Sequence, residues 1–363
     1  MKKTVLAFAV AAAMGVPAVA AADTTLYGRI NMSVDRVDND VNSSTQMASN
    51  SSRFGIRGSE DLGGGLRGTF QIETGNVPVD NGSGGLGGNL RNSFLGLAGD
   101  FGEVRLGRHD TPYKLSTLRL NFFADTLGDM HNLAGTAGES NAATSFYTRA
   151  NNAILYISPN FEGIQVMAQY SFDQRATGDR PATGANDQDA YSLSATYTNG
   201  PIFVAAAYER WNEWNNAAAA DSAPAVNPEK ASPRAWKIGG AYTIDDLTIA
   251  ALYEKVDTKD IAGSRDMFHI GARYNIGQTY LMASYSKVDD MGNSTDTGAD
   301  MIAIGGGYNF SRRTGMYATY AVVDNDNNTR GYGFAGTGKG KPVAAGKDGA
   351  DVSGFQIGVW HNF

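Results

Sequence analysis

Apolar and polar side chains alternate with a period of two along most of the chain. In the first such segment Leu26, Ile30, Met32 and Val34 interleave with Tyr27, Arg29, Asn31, Ser33 and Asp35. A strand sends these two sets to opposite faces, whereas a helix would scatter them around its axis. Leu66, Phe70 and Ile72 interleave in the same way with Arg67, Thr69, Gln71 and Glu73. Ile164, Val166, Ala168 and Tyr170 alternate with Gln165, Met167, Gln169 and Ser171, and Phe268, Ile270, Ala272 and Tyr274 with His269, Gly271 and Arg273. The pattern returns at Ile302, Ile304 and Tyr308 and again at Phe355, Ile357, Val359 and Phe363. Segments 91–98 and 147–157 follow it poorly, so that either face could be the outer one; a subunit interface, which relaxes the demand for a purely lipid-facing set, would explain this.

The connections between segments alternate in length. Short ones carry turn chemistry: Asp61-Leu62-Gly63, Gly99-Asp100, 159–163, Asn199-Gly200, Asp245-Asp246, Asn275-Ile276-Gly277 and Ser311-Arg312. Long polar ones cover 39–45, 76–89, 110–143, 173–187, 212–232, 258–264, 289–298 and 325–352. Tight turns on one side and long loops on the other are the plan of an outer-membrane barrel. Eight long loops and seven turns predict sixteen antiparallel strands, a ring wide enough for an aqueous channel. Tyr170, Tyr197, Tyr208, Tyr242, Tyr253, Tyr274 and Tyr308 fall at strand ends with the parity of the apolar face, where a ring with a polar tip suits a membrane–water boundary.

Composition sharpens this picture. Lys2 and Lys3 precede an apolar run over 5–16 and then the small-x-small triplets Ala18-Val19-Ala20 and Ala20-Ala21-Ala22. Residues 1–22 thus have the form of a secretory signal peptide cleaved after Ala20 or Ala22, leaving 23–363 as the barrel. Loss of the two lysines takes the formal charge from −7 to −9. With no cysteine there is no disulfide framework and no thiolate chemistry, and the acidic balance without a basic stripe excludes nucleic acid as a partner. Beyond the leader no apolar run approaches the ~18 residues of a membrane helix. Mean hydropathy is negative, as it is when lipid-facing and water-facing residues alternate.

Several segments resemble Gram-negative general porins of the betaproteobacterial and neisserial type. Leu26-Tyr27-Gly28-Arg29 is similar to their first-strand motif. Ser51-Ser52-Arg53-Phe54-Gly55-Ile56-Arg57-Gly58 resembles the second strand, Glu60 to Leu66 its turn, and Phe94 to Arg108 the hairpin before the third loop. Gly358-Val359-Trp360-His361-Asn362-Phe363 is similar to the terminal strand, whose final phenylalanine serves as an assembly signal. The resemblance spans the whole mature chain, with specific motifs in the N-terminal third and the last strand and a match of pattern alone between. It implies an all-β, 16-stranded transmembrane barrel with short periplasmic turns and long external loops, the third of them, about 110–143, folded into the lumen. It further implies a homotrimer in the outer membrane, in contact with lipid and lipopolysaccharide and inserted by the barrel-assembly machinery. The implied function is passive diffusion of small hydrophilic solutes and ions, with no cofactor and no metal.

In such proteins the inward loop sets acids against bases on the wall. Arg29, Arg53, Arg91 and Arg149 are the expected basic wall, with Arg67 and Arg105 as runners-up; Asp125, Asp129 and Glu139 are the expected loop acids. Arginine suits the task because it stays charged beside other cations. Some of these arginines could instead be neutralised on the wall, Arg67 by Glu73 or Arg105 by Glu103. The enterobacterial Pro-Glu-Phe-Gly-Gly loop motif is absent, which leaves the path of the loop open. About four arginines against two or three acids lean toward a weak anion preference.

Other signals carry less. Gly63-Gly64-Gly65-Leu66-Arg67-Gly68 fits a dinucleotide fingerprint, but no helix pattern follows it. Asp324-Asn325-Asp326 begins like a calcium loop, yet the sixth and twelfth positions are Thr329 and Ala335. His109, His131, His269 and His361 lack metal-ligand spacing, and no G-x-S-x-G elbow is present. An outer-membrane lipase or protease would need a nucleophile–base pair that the sequence does not offer. An adhesive or structural barrel would need a lumen plugged by bulky side chains. A specific channel for phosphate or other small anions is the main alternative, for which Lys237, His269 and Arg273 could extend an arginine ladder.

Overall fold

Alternation becomes a closed wall. The computed structural model describes residues 23–75, 77, 90–135, 145–172, 189–212, 232–258, 263–329, 331–334 and 343–363. The strands are β1 Asp23–Asp38, β2 Ser43–Ser49, β3 Arg53–Gly63, β4 Leu66–Gly75, β5 Ser93–Gly99, β6 Gly102–Asp110, β7 Arg149–Ile157, β8 Ile164–Ser171, β9 Ala190–Asn199 and β10 Ile202–Trp211. They continue with β11 Arg234–Ile244, β12 Leu247–Thr258, β13 Gly263–Ile276, β14 Thr279–Val288, β15 Ala299–Asn309, β16 Thr314–Asn325, a small hairpin of β17 Gly333–Phe334 and β18 Val343–Ala344, and β19 Val352–Asn362. Sequential neighbours pair antiparallel, and the ring closes where β19 pairs with both β16 and β1. β2 and β3 are one stave broken at 50–52, where Ser51 takes a positive φ of 53°; β2 pairs with the second half of β1 and β3 with the first. The seventeen segments of the sheet therefore make the sixteen staves expected.

The seven tight turns lie where turn chemistry marks them. Several connections differ in extent, among them the first long loop, which shrinks to 39–42, and the sixth, which shrinks to 259–262, while the second reaches 92 and the third 148. Leu95 and Leu97 of β5 and Ile154 and Tyr156 of β7 face outward, which assigns the two ambiguous segments. β6 carries a bulge at Gly107, whose φ of 144° and closeness to the Ser93 carbonyl leave no room for a Cβ. Past that bulge His109 and Asp110 are both buried, off the alternation that precedes them.

Exposure is inverted relative to a water-soluble domain. Leu26, Ile30, Ile72, Leu106, Ile238, Ile270, Leu281, Ile304 and Ile357 are all exposed on the outer face, as a lipid-facing band requires. Each stave is hydrogen-bonded to a neighbour on both sides all the way round the ring, which is how a barrel satisfies its backbone in hydrocarbon. The buried apolar core lies inside the ring, where residues of the third loop meet the inner faces of β9–β16 and β19.

Candidate functional site

The third loop leaves β6 through Thr111, whose side chain accepts from Lys114 N and caps a short helix, α1 Pro112–Ser116, with proline at its first position. Tyr113 and Phe146 pack with Trp211, Ala207, Ala235 and Val256. Leu120 and Met130 pack on Phe203, Ala205, Ala250 and Leu252. Phe123, Leu127 and Leu133 pack on Met267, Met301, Ala303, Ala321 and Val323. Fully burying such a side chain stabilises by about 1.5–3 kcal/mol. Glycines on the wall make the seat: a Cβ at Gly239 would stand 2.6 Å from Leu120 Cδ1, one at Gly354 2.8 Å from Leu127 Cδ1, and one at Gly305 3.1 Å from Phe123.

Polar contacts fasten the same limb. Lys237, fully buried on β11, donates from Nζ to Thr117 Oγ1 at 2.6 Å and Tyr147 Oη at 2.9 Å. Tyr113 Oη donates to Glu254 Oε2 at 2.8 Å, and the Gly135 amide donates to Glu254 Oε1 at 2.5 Å. Burial and the neighbouring Glu254 carboxylate push both loop phenols, Tyr113 and Tyr147, well above the ordinary tyrosine range, so they stay neutral donors. Leu127 N reaches Gln356 Oε1 at 3.2 Å on β19. The loop is thus fixed to β9–β16 and β19, and the wall of β1–β7 faces it across the lumen.

The four expected basic residues come together on that facing wall. Arg29 and Arg53 stand directly opposite each other in the β1–β3 register. Arg53 has Asp125, Arg91, Arg29 and Glu73 as its charged neighbours, and Arg149 has Asp110, Arg91, Arg108 and Glu73. All four are half-buried. Arg53 Nη1 lies 3.9 Å from Asp125 Oδ2, the link between wall and loop, and Asp125 holds a φ of 60°. Arg91 Nε pairs with Glu73 Oε1 at 2.5 Å, and Arg149 Nε with Asp110 Oδ1 at 3.1 Å. Arg29 lies over the Trp360 ring, 5.5 Å from its centroid.

The remaining expectations land elsewhere. Arg105 pairs with Glu103 at 2.9 Å, as anticipated, and contacts His109 Nε2. Arg67 does not pair with Glu73. Six residues along one strand span roughly 20 Å, so the two share a face but lie near opposite ends of it. Glu73 instead takes Arg91 and the Tyr27 hydroxyl. Asp129 turns into the loop, where it accepts from Asn121 Nδ2 at 2.7 Å and His131 N at 2.8 Å and is 3% exposed. Glu139 lies outside the described residues. Lys237 and His269 are buried beneath the loop, while Arg273 lies over the Tyr280 ring.

One cation was not anticipated. Lys114 pairs with Asp110 at 2.7 Å on the first turn of the loop and joins Arg149 and Arg91. Burial lowers its pKa, opposed by Asp110. The Asp-x-x-x-Lys spacing across a Thr-Pro helix start is the signal that marks it.

Comparison with known proteins agrees with this architecture. A family model described as Gram-negative porin matches residues 8–328. Outer membrane porin protein 32 of Delftia acidovorans is 29% identical over 380 residues, covering 100% of both chains. Major outer membrane protein P.IB of Neisseria gonorrhoeae is 27% identical, covering 86% of this chain and 91% of its own. Among solved structures, an anion-selective porin from Comamonas acidovorans superposes with a TM-score of 0.75 at 26% identity, over 94% of this chain and 100% of that one. The chain, a closed sixteen-stave barrel with a loop seated in its lumen, belongs to the Gram-negative porin family and forms a channel in the bacterial outer membrane.

Proposed function

We propose that this porin carries small hydrophilic solutes and ions by passive diffusion with a weak anion preference, and that Arg29, Arg53, Arg91 and Arg149 form the basic wall of its constriction opposite Asp125. The observation that carries the reading is Arg29 set directly across from Arg53. Like charges facing each other on adjacent strands destabilise a sheet, so their presence calls for a use at that spot. The relative described as anion-selective supports the sign. A transverse field between the arginine wall and the Asp125 side of the loop orders water; polar solutes exchange with it, while apolar ones must displace it at a cost.

Lys114 joins the basic side and Asp129 builds the loop rather than facing the solute. Assembly as a homotrimer, supported by a structural relative in trimer form, and export with loss of residues 1–22 belong to the same reading. So do contact with lipid and lipopolysaccharide and insertion by the barrel-assembly machinery through Phe363. Single-channel conductance in a planar bilayer, with the reversal potential in a salt gradient, tests it. Large ohmic steps with a reversal potential of anion sign are expected; small steps saturated by one solute would refute it.

A further inference from the structure

Behind the descending limb of the loop lies a second polar cavity, away from the arginine wall. It is an open recess of about 370 Å3 lined by Leu115, Ser116 and Arg119 of the loop and the inner faces of β8–β10. It borders the tight turn at 158–163 and the end of β9, so it opens on the periplasmic half of the lumen. Gln165, Thr196 and Thr198 line one side, and Met167 and Phe203 form an apolar floor.

Arg119 supplies the charge. Its guanidinium lies 5.2 Å from the Phe203 centroid and its Nη1 is 3.4 Å from Thr198 Oγ1. Among the described residues no carboxylate forms an ion pair with it, in contrast to Arg53, Arg91, Arg105 and Arg149. Pockets that hold small molecules begin at about 300 Å3 and combine an apolar lining with a few convergent polar groups. An uncompensated guanidinium above a Met–Phe floor, with hydroxyl and amide groups alongside, matches a carboxylate carrying a short hydrocarbon body.

We propose that this cavity is a periplasmic-side subsite for short-chain monocarboxylates. The carboxylate sits on Arg119 and Thr198, and the hydrocarbon lies over Met167 and Phe203. It is a resting place at the side of the lumen, close enough to the conduction path for a bound anion to obstruct the current and weak enough to be left again, as throughput demands. The inference rests on the porin reading of the channel, not on the selectivity assigned to the arginine wall.

The test uses the full-length protein in planar bilayers, with sodium butyrate, acetate or phosphate added to one side at a time. Butyrate is expected to produce brief interruptions of current when added to one side only, at concentrations where acetate and phosphate do not. Arg119→Ala should remove those interruptions at least tenfold in frequency, with unit conductance in chloride within about 20% of the parent. Arg53→Ala should keep them while shifting the reversal potential. Interruptions that survive Arg119→Ala, that are equal for all three anions, or that are absent from the parent channel would overturn the subsite alone. Absence of ohmic channels from every variant would overturn the porin reading and this inference with it.

Discussion

Neutralising Arg53 should change ion selectivity by an amount that the charge inventory fixes. Counting Arg53 and Lys114 with their charged neighbours, Arg29, Arg53, Arg91, Arg149 and Lys114 stand against Glu73, Asp110 and Asp125, which leaves two positive charges in excess. An ion passing about 8 Å from one wall charge in water interacts with it by about 0.5 kcal/mol. Screening over a Debye length of about 10 Å at 0.1 M salt reduces that to roughly 0.25 kcal/mol. Anion and cation feel opposite signs, so each wall charge separates them by about 0.5 kcal/mol, or about twofold in permeability. Two excess charges then give an anion preference of about four- to fivefold. Arg53→Ala should halve it, Arg53→Glu should bring it near unity, and Asp125→Asn should roughly double it. Reversal potentials in a tenfold gradient of potassium chloride read all three. Unit conductance and resistance of the folded barrel to heat in detergent show that the variants are intact. Equal reversal potentials for the parent and Arg53→Glu, or shifts of one sign for Arg53→Ala and Asp125→Asn, would refute the assignment.

Lys237→Met removes a buried cation and leaves Glu254 and Glu209 buried without it; breaking such an arrangement costs roughly 3–5 kcal/mol, so the thermal midpoint should fall and open-channel noise should rise. Unchanged melting with a quiet channel would show that the loop does not depend on this clamp. Gly354→Val places a side chain against Leu127 and Phe334, an overpacking of about 1–3 kcal/mol that should push the loop toward the arginine wall and lower unit conductance; conductance equal to the parent would refute the seat. The Phe363 amide donates to Gly28 O at 3.1 Å, the Gly28 amide donates to Phe363 O at 3.0 Å, and the Phe363 ring occupies the space above Gly28. Deletion of Phe363 should therefore reduce the yield of folded barrel in outer-membrane fractions, and Gly28→Val should do so without removing the terminal residue.

The staves were legible because each strand is read by one local rule, the period of two, and each turn by residues that tolerate it. The loop at 110–143 follows no such rule. Its path depends on which wall positions lack side chains, and Gly239, Gly271, Gly305 and Gly354 are far apart in sequence. That is why Asp129 looked like a lumen acid when its oxygens in fact hold Asn121 and His131. Arg29 and Arg53 were legible because strand parity decides which way they point, whereas Arg91 and Arg149, in the two segments of poor alternation, are marked only by the resemblance. Their partners were not: Glu73 shares a strand face with Arg67, and only the register that brings Arg91 beside it settles the pairing. Lys114 was within reach of sequence reasoning, since its spacing from Asp110 is that of a helix turn with a Thr cap ahead of it.

The same partition of residues that folds the lumen also sets its charge. A loop bearing Leu120, Phe123, Leu127, Met130 and Leu133 must hide them, and in a water-filled ring their apolar shelter is wall surface where small side chains leave room and the polar groups present are paired with the loop. Such surface exists over β9–β16 and β19, where Ala205, Ala250, Ala303, Ala321 and the glycines face inward. The inner face of β1–β7 offers Arg29, Arg53, Arg105 and Arg149, which cannot shelter hydrocarbon without losing water of their own. The loop therefore leans on one half of the ring, and water is left against the other. An aperture formed this way is bordered by guanidinium groups on the wall side, with Asp125 reaching back toward Arg53 from the loop. If the arginine wall sets selectivity as proposed, it needs no separate device: the charge of the aperture follows from where the loop could be buried.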